Sequence, residues 1–257
     1  MSESSPRASD RLLVALDVER LDEADALLDR LEGTIGGCKI GSQLFTAAGP
    51  VAIEHALKRG YRVFLDLKYH DIPNTVTGAV REATRLGVFM LNVHASGGAA
   101  MMRAAATAAT KAAADFSARR PICLGVTVLT SLDRRALETE VGVAGTVRAH
   151  VLRLAEGARA AGLDGCVASA QEIGLLRGAL GRDWVIVTPG IRPSRPAGAE
   201  GAPKAGSGDD QMRTATPAAA IAAGADYLVV GRPITAAPDP SLAARAILAD
   251  LEAARRF

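Results

Sequence analysis

The stretch FLDLKYHDIPNTV at residues 64–76 begins as an apolar run and ends in a cluster of charges. It places Asp66, Lys68 and Asp71 within six positions. Strand side chains alternate between two faces, so Asp66 and Lys68 are expected to point the same way. A buried charge is costly unless an opposite charge compensates it. The stretch therefore predicts a core strand that ends in a paired acid and lysine.

Short apolar runs of this kind recur along the whole chain. They are LLVALDV (12–18), GCKIG (37–41), RVFLDLK (62–68), FMLNVHA (89–95), ICLGVTVL (122–129), DGCVASA (164–170), WVIVTPG (184–190) and DYLVVGR (226–232). Because they are rich in Val, Ile and Leu and too short for helices, they predict eight strands. Amphipathic or Ala-rich stretches between and after them predict helices, including residues 19–33, 99–114, 146–162 and 241–256.

Eight strands that alternate with helices over about 250 residues are typical of an α/β fold, the (β/α)8 TIM barrel. The alternative is a doubly wound open sheet, which normally has a glycine-rich turn after its first strand. Here the first strand continues into DVERLDEAD (17–25), which has no such turn. We therefore predict a single barrel domain at residues 11–257, preceded by a disordered lead-in at residues 1–10.

The composition agrees with this fold and narrows the class of partner. Apolar residues make up 49% of the 257 residues and aromatic residues only 4%, which suits a parallel sheet covered by Ala-rich helices. The net charge of +2 comes from interspersed charges, so neither nucleic acid nor a membrane is the expected partner. Cys38, Cys123 and Cys166 lie far apart without a CxxC pair, which indicates reduced thiols and a cytoplasmic protein.

The charged residues cluster at the predicted carboxyl ends of the strands, where TIM barrels build their active sites. Asp17 closes the first strand, Lys39 lies in the second, and Asp66 and Lys68 end the third. We expect Lys39 to face the other two, so that lysines and carboxylates stabilise one another's charged forms. A buried ion-pair network that only fills the barrel mouth is the alternative, but charges at this face more often mark catalysis.

The last two strands are followed by a predicted phosphate site. TPGIR (188–192) and VGRPIT (230–235) combine glycines, which let backbone N–H groups approach an anion, with the forked donors Arg192 and Arg232. The eighteen residues PSRPAGAEGAPKAGSGDD (193–210) lie between them and predict a mobile lid, with Gln211 at its far end. The expected substrate is therefore a phosphorylated small molecule.

Five segments together resemble the orotidine 5′-phosphate decarboxylase family: VALDV (14–18), CKIG (38–41), DLKYHDIPNTV (66–76), TPGIRP (188–193) and ADYLVVGRPIT (225–235). The likeness covers nearly the whole chain after residue 10. A wider superfamily of sugar-phosphate barrels shares D-x-K-x-x-D, whereas HDIPNTV (70–76) is a narrower signal. The resemblance implies decarboxylation of orotidine 5′-monophosphate (OMP) to UMP, the last step of de novo pyrimidine synthesis, without a cofactor or metal.

The resemblance also implies roles for individual residues, carried over by matching position. Lys39, Asp66, Lys68 and Asp71 match the family's catalytic array, in which Lys68 would protonate the ring carbon and Asp66 would lie beside the departing carboxyl group. The implied contacts are Asp17 and Lys39 with the ribose, Thr130 and Ser131 with the pyrimidine, and Arg192, Gln211, Gly231 and Arg232 with the phosphate and lid. Asp71, Ile72 and Thr75 would enter the other subunit's site, which implies a homodimer with shared active sites.

Charge considerations support such a reaction. Loss of carbon dioxide would leave a carbanion at C6, and no pyridoxal or thiamin site is evident as an electron sink. A fixed ammonium beside that carbon would stabilise the charge and then donate a proton. Two alternatives stay open: a Mg-dependent decarboxylase or aldolase of keto-sugar phosphates, which HDIPNTV disfavours, and a non-catalytic nucleotide-binding barrel, which the presence of Lys68 and Asp71 disfavours.

Overall fold

The chain is described by a computed structural model at residues 7–193 and 213–254. Eight parallel strands close into a barrel in chain order. They are β1 (Leu12–Ala15), β2 (Gly37–Gly41), β3 (Arg62–Tyr69), β4 (Met90–His94), β5 (Ile122–Val126), β6 (Gly165–Val167), β7 (Val185–Thr188) and β8 (Tyr227–Val230). Each strand lies in the apolar run that predicted it, except that β3 extends one residue beyond its run, to Tyr69, and the TIM-barrel prediction is confirmed.

Helices surround the barrel and follow its strands. They are α1 (Ala8–Arg11), α2 (Leu21–Arg30), α3 (Ser42–Ala48), α4 (Val51–Lys58), α5 (Pro73–Arg85), α6 (Gly98–Asp115), α7 (Arg134–Thr139), α8 (Val147–Ala160), α9 (Ile173–Leu180), α10 (Pro217–Ala223), α11 (Arg232–Thr235) and α12 (Pro240–Ala254), with short 3₁₀ turns at Ala95–Gly97 and Ala170–Glu172. The four helical stretches predicted from sequence correspond to α2, α6, α8 and α12. Within the described ranges, no helix is both long and apolar enough to cross a membrane.

The helix α1 corrects the predicted extent of the lead-in, because residues 8–10 are helical rather than disordered. Ala8 is buried, and the carbonyl of Ser9 accepts a hydrogen bond from the Gly36 backbone at 2.9 Å. The Arg62 guanidinium donates to the carbonyl of Asp10 at 2.6 Å. These contacts tie the segment to the barrel, which is why it folds as part of the domain.

Alternation along the strands divides the core into two layers. Inside the barrel, the cluster contains Leu13, Ala15, Phe64, Phe89, Met90, Leu124, Val187 and Val229. Side chains of the opposite strand face, such as Cys38 and Ile40, pack outward against the helices. Lys39 lies between these two outward-facing residues on β2, so its side chain projects into the barrel. The expected strand alternation therefore places this lysine at the interior.

The three cysteines are buried free thiols, as the sequence predicted. Burial raises the pKa of Cys38, of Cys123 and of Cys166 to about 12 in each case. A thiol with so high a pKa is a weak nucleophile because little thiolate forms at neutral pH. These residues therefore serve as small apolar core residues.

Candidate active site

Four of the predicted residues form a continuous chain of alternating charges at the carboxyl ends of β1 to β3. The Nζ of Lys39 lies 3.0 Å from Oδ1 of Asp17 and 3.2 Å from Oδ2 of Asp66. The Nζ of Lys68 lies 2.8 Å from Oδ1 of Asp66. The order is Asp17, Lys39, Asp66 and Lys68, so each interior charge has a neighbour of opposite sign. The structure thus brings Lys39 to the Asp66–Lys68 pair, as expected.

The strand register explains why these side chains meet. In the parallel ladder Ala15 is opposite Lys39, and Gly41 is opposite Asp66. A Cβ atom on Gly41 would lie 2.9 Å from Nζ of Lys39 and 3.2 Å from Oδ1 of Asp17. Glycine at this position therefore leaves the space that the ion pair between Lys39 and Asp17 occupies.

Burial and the neighbouring opposite charges shift the pKa values of Asp66 and Lys39 in opposite directions. Burial by itself raises the pKa of Asp66, but the charges of Lys39 and Lys68, with their hydrogen bonds and that of Asn92, outweigh it and hold the pKa below its usual range. Burial likewise lowers the pKa of Lys39, but Asp66 and Asp17 outweigh it and raise the pKa above its usual value. With only 9% of Asp66 and 8% of Lys39 exposed, solvent screens this pair weakly. The carboxylate–ammonium form is therefore favoured.

The backbone of β3 is irregular at Lys68. Lys68 has a φ of 51°, in the left-handed region, which costs an L-residue about 1–2 kcal/mol. The ladder between β3 and β4 pairs Leu65 with Leu91 and then Tyr69 with Val93, so three residues of β3 lie opposite one residue of β4. Leu67 still packs into the outer core, while the side chains of its two neighbours meet at the barrel mouth.

The residue of β4 opposite this irregularity is Asn92, which the sequence places near the carboxyl end of the fourth predicted strand without indicating its contacts. Its side chain is completely buried and hydrogen-bonds both to the backbone of Lys68 and to the carboxylate of Asp66. The available signal was a polar residue inside the apolar run at residues 89–95. Its contact with the charged pair depends on the strand register, which the sequence does not display.

Asp71, Ile72 and Thr75 lie apart from this chain of charges. All three are exposed where β3 ends and α5 begins, and Ile72 is 66% exposed. The Asp71 carboxylate accepts a hydrogen bond from the backbone N–H of Ile72 at 2.6 Å. In the described part of the chain, no ion pair joins Asp71 to Lys39 or Lys68. In the described chain, Asp71 therefore lies outside the four-residue array implied by the family resemblance.

The segment after β5 contains Thr130, which is buried, and Ser131, which is exposed. A residue outside our sequence predictions, Arg213, supports this segment by donating to the carbonyls of Val128 and Leu129 at 3.3 and 3.2 Å. Arg213 also forms an ion pair with the buried Glu172 at 2.8 Å. Arg213, in the segment before α10, therefore connects the loop after β5 with the loop after β6.

The predicted phosphate residues lie after the last two strands. The backbone of Arg192 donates to the Ala215 carbonyl at 2.9 Å, and Arg232 begins α11 immediately after Gly231. A Cβ atom on Gly231 would lie 3.9 Å from Oδ2 of Asp17, so this turn adjoins the chain of charges. Gln211 and residues 194–210 of the predicted lid lie outside the described residues.

Comparisons with known proteins agree with these features. A family model described as "Orotidine 5'-phosphate decarboxylase / HUMPS family" matches residues 10–247. Orotidine 5'-phosphate decarboxylase of Moorella thermoacetica is 54% identical over 245 residues, covering 95% of this chain and 93% of that protein. Its counterpart in Chromobacterium violaceum is 49% identical over 251 residues, 98% of this chain and 95% of that protein. The crystal structure of orotidine 5'-phosphate decarboxylase from Lactobacillus acidophilus matches with a TM-score of 0.81 at 34% identity, covering 94% of this chain and 99% of that one.

The ionisation of Asp66 predicts a specific pH dependence of stability. Because its pKa is lowered in the folded state, ionised Asp66 stabilises the fold above the unfolded pKa of about 3.9, and this stabilisation is lost as the pH falls through the folded pKa. Asp66→Asn leaves two lysines without their shared anion, so it should lower the free energy of unfolding by about 3–5 kcal/mol at neutral pH. Urea unfolding should show this difference narrowing below about pH 4.

Asp183→Asn, in the exposed bend before β7, is the matched control for loss of one carboxylate. A difference between wild type and Asp66→Asn that stays constant from neutral pH to about pH 3 would contradict the assignment of Asp66 as an ionised, lysine-bound group.

Proposed function

This chain belongs to the orotidine 5′-phosphate decarboxylase / HUMPS family, and we propose that its chain of alternating charges carries out the decarboxylation at the open end of the barrel. The protein is a carboxy-lyase that converts OMP to UMP and carbon dioxide, the last step of UMP biosynthesis. The observation that supports the proposed site best is Asp66, a buried carboxylate held between Lys39 and Lys68.

The proposed reaction needs one negative and one positive group beside the pyrimidine. The bond between C6 and the carboxyl carbon breaks, carbon dioxide leaves, and the electron pair stays on C6. The ammonium of Lys68 stabilises this charge and then transfers a proton to C6, which gives UMP and a neutral amine that regains its proton from water. Asp66 places a like charge near the substrate carboxylate and keeps the Lys68 ammonium in position.

The remaining contacts hold the substrate on either side of the reacting carbon. Lys39 and Asp17 are proposed to bind the ribose hydroxyls, and the 54% exposure of the Asp17 side chain leaves it accessible from the barrel mouth. Thr130 and Ser131 are proposed to contact the pyrimidine, and Arg192, Gln211, Gly231 and Arg232 the phosphate. Binding energy from the phosphate end would offset the strain of placing two carboxylates together.

The Mg-dependent alternative is less compatible with the geometry of Asp66. One oxygen of Asp66 accepts from Lys68 and Asn92, at 2.8 and 2.7 Å, and the other faces Lys39 at 3.2 Å. A metal would have to displace an ammonium to bind this carboxylate. A non-catalytic binding barrel would not require such a buried charge pair, whose desolvation costs several kcal/mol per ion.

Lys68→Ala tests the proposed chemistry directly. In EDTA-containing buffer, loss of the orotate absorbance should show conversion of OMP by the wild type, and kcat should fall by at least about 10³-fold in the variant because both the charge stabilisation and the proton donor are lost. Lys111→Ala removes an exposed lysine on α6 and should retain wild-type kcat. The proposal fails if the folded wild type needs magnesium or if Lys68→Ala retains its kcat.

We also propose that the protein is a cytoplasmic homodimer in which Asp71, Ile72 and Thr75 of each subunit enter the partner's site. The exposure of these residues beside the barrel mouth, together with the large apolar side chain of Ile72, supports a contact surface there. Its three buried, reduced thiols are compatible with the cytoplasm. The catalytic array would then be completed only by association.

Mixing two inactive variants tests whether the sites are shared. After unfolding and refolding together, Asp71→Ala and Lys68→Ala chains should regain about a quarter of the wild-type activity, since half of the dimers are mixed and one of their two sites is intact. Each variant refolded alone is the control and should stay inactive. If the mixture is no more active than these controls while mixed dimers form, Asp71 does not act across the interface.

A further inference from the structure

Asn92 joins the two groups on which the proposed reaction depends. Its Oδ1 accepts the backbone N–H of Lys68 at 2.8 Å, and its Nδ2 donates to Oδ1 of Asp66 at 2.7 Å. The same oxygen of Asp66 accepts from Nζ of Lys68, also at 2.8 Å. A closed ring of hydrogen bonds therefore connects the Asn92 amide, the Asp66 carboxylate and both ends of Lys68.

The chemistry of the partners determines the orientation of the amide. A backbone N–H can only donate and an ionised carboxylate can only accept, so the amide oxygen must face Lys68 and the amide nitrogen must face Asp66. An apolar side chain offers neither group. An ionised carboxylate in its place would offer an acceptor but no donor.

The position of Asn92 also compensates for the interruption of the sheet. Residues 66–68 of β3 lie opposite Asn92 alone, between the ladder pairs Leu65–Leu91 and Tyr69–Val93. The N–H of Lys68 finds its acceptor in the side-chain oxygen of Asn92. Without that acceptor, the left-handed conformation of Lys68, with a φ of 51°, would lose a buried hydrogen bond that supports it.

We propose that Asn92 is a positioning residue for the decarboxylation: its amide holds Lys68 in the left-handed conformation and aligns Asp66, so that the Lys68 ammonium lies where the reacting carbon binds. This inference rests on the proposed function of Lys68 and Asp66. Asn92 is completely buried beneath the two side chains and acts through them rather than on the substrate. Its loss is expected to change kcat much more than KM, because the proposed ribose and phosphate contacts lie on other elements.

Two variants separate positioning from simple packing. Asn92→Leu keeps the number and branching of the side-chain heavy atoms and removes both hydrogen bonds, so kcat should fall at least about tenfold while KM for OMP changes less than about threefold. Asn92→Asp keeps the shape, and its carboxyl group can replace the amide only when protonated. The ratio of its kcat to that of the wild type should therefore rise about fivefold or more as the pH falls from about 8.5 to about 5.5.

Other titratable groups near Asn92 do not produce this signature. Lys68 and Asp66 on β3, Lys39 on β2 and the half-buried His94 on β4 lie around it, and the ring of His70 is 5.3 Å from that of His94. All of these groups are present in the wild type and in Asn92→Leu. Asp66 loses the Asn92 hydrogen bond in Asn92→Leu, but Lys39 and Lys68, the larger causes of its lowered pKa, remain. The ratio for Asn92→Leu to the wild type should therefore not change over this pH range.

Thr84→Val is the matched control for loss of a buried hydrogen bond, because the hydroxyl of the fully buried Thr84 donates within α5 at 2.8 Å. It should lower thermal stability and leave kcat unchanged. Each kcat is calculated per mole of folded protein, and the folded fraction is measured by circular dichroism.

The inference is overturned if Asn92→Leu keeps kcat within about threefold of the wild type, or if the ratio of the Asn92→Asp kcat to the wild-type kcat is independent of pH. If Asn92→Leu does not fold, the Asn92→Asp ratio decides, and an inactive wild type would instead refute the proposed function.

Discussion

The carboxylate of Asp66 is the shared anion around which the barrel mouth is organised. It contacts Lys39, Lys68 and Asn92, which come from three adjacent strands. Desolvating each buried ion costs several kcal/mol, so neither Asp66 nor Lys39 would be stable as an ion in the interior without its neighbours. The chain of opposite charges, from Asp17 to Lys68, offsets that cost. The side chains are therefore held as ions at one place before any substrate binds, which is the preorganisation that electrostatic catalysis requires.

The regular ladders of the barrel fix the positions of the charged residues, and the one irregular part of β3 lies at the proposed proton donor. Regular ladders fix Ala15 opposite Lys39 and Gly41 opposite Asp66. Between Leu65 and Tyr69 the ladder with β4 is interrupted, and Lys68 adopts its left-handed conformation there. A strained residue persists only when its surroundings hold it. Here the surroundings are the hydrogen bond that the Lys68 backbone donates to Asn92 and the ion pair with Asp66, so the strain and the proposed proton donor occur at the same residue.

Much of this arrangement was predictable from sequence because it depends on local patterns. The eight short apolar runs predicted the strands, strand alternation predicted a shared face for Asp66 and Lys68, and charge compensation led to the expectation that Lys39 faces them. What could not be predicted depends on register and long-range contacts. The left-handed Lys68, the double hydrogen bond of Asn92 and the pairing of Arg213 with Glu172 all join residues whose proximity only the closed barrel defines. The helix at Ala8–Arg11 was missed because its stability comes from Gly36 and Arg62 rather than from its own short sequence.

A double-mutant cycle between Lys39→Met and Asp66→Asn tests the dependence of these charges on one another. The free energy of unfolding of the wild type, both single variants and the double variant is measured in urea at neutral pH. Since each single change removes one of the two opposite charges that its buried partner contacts, the double variant should be more stable than additivity predicts, by about 1–3 kcal/mol. Lys39→Met combined with Asp183→Asn should be additive. Additivity within about 0.5 kcal/mol for Lys39 and Asp66 as well would contradict the account, because the two charges would then not stabilise each other.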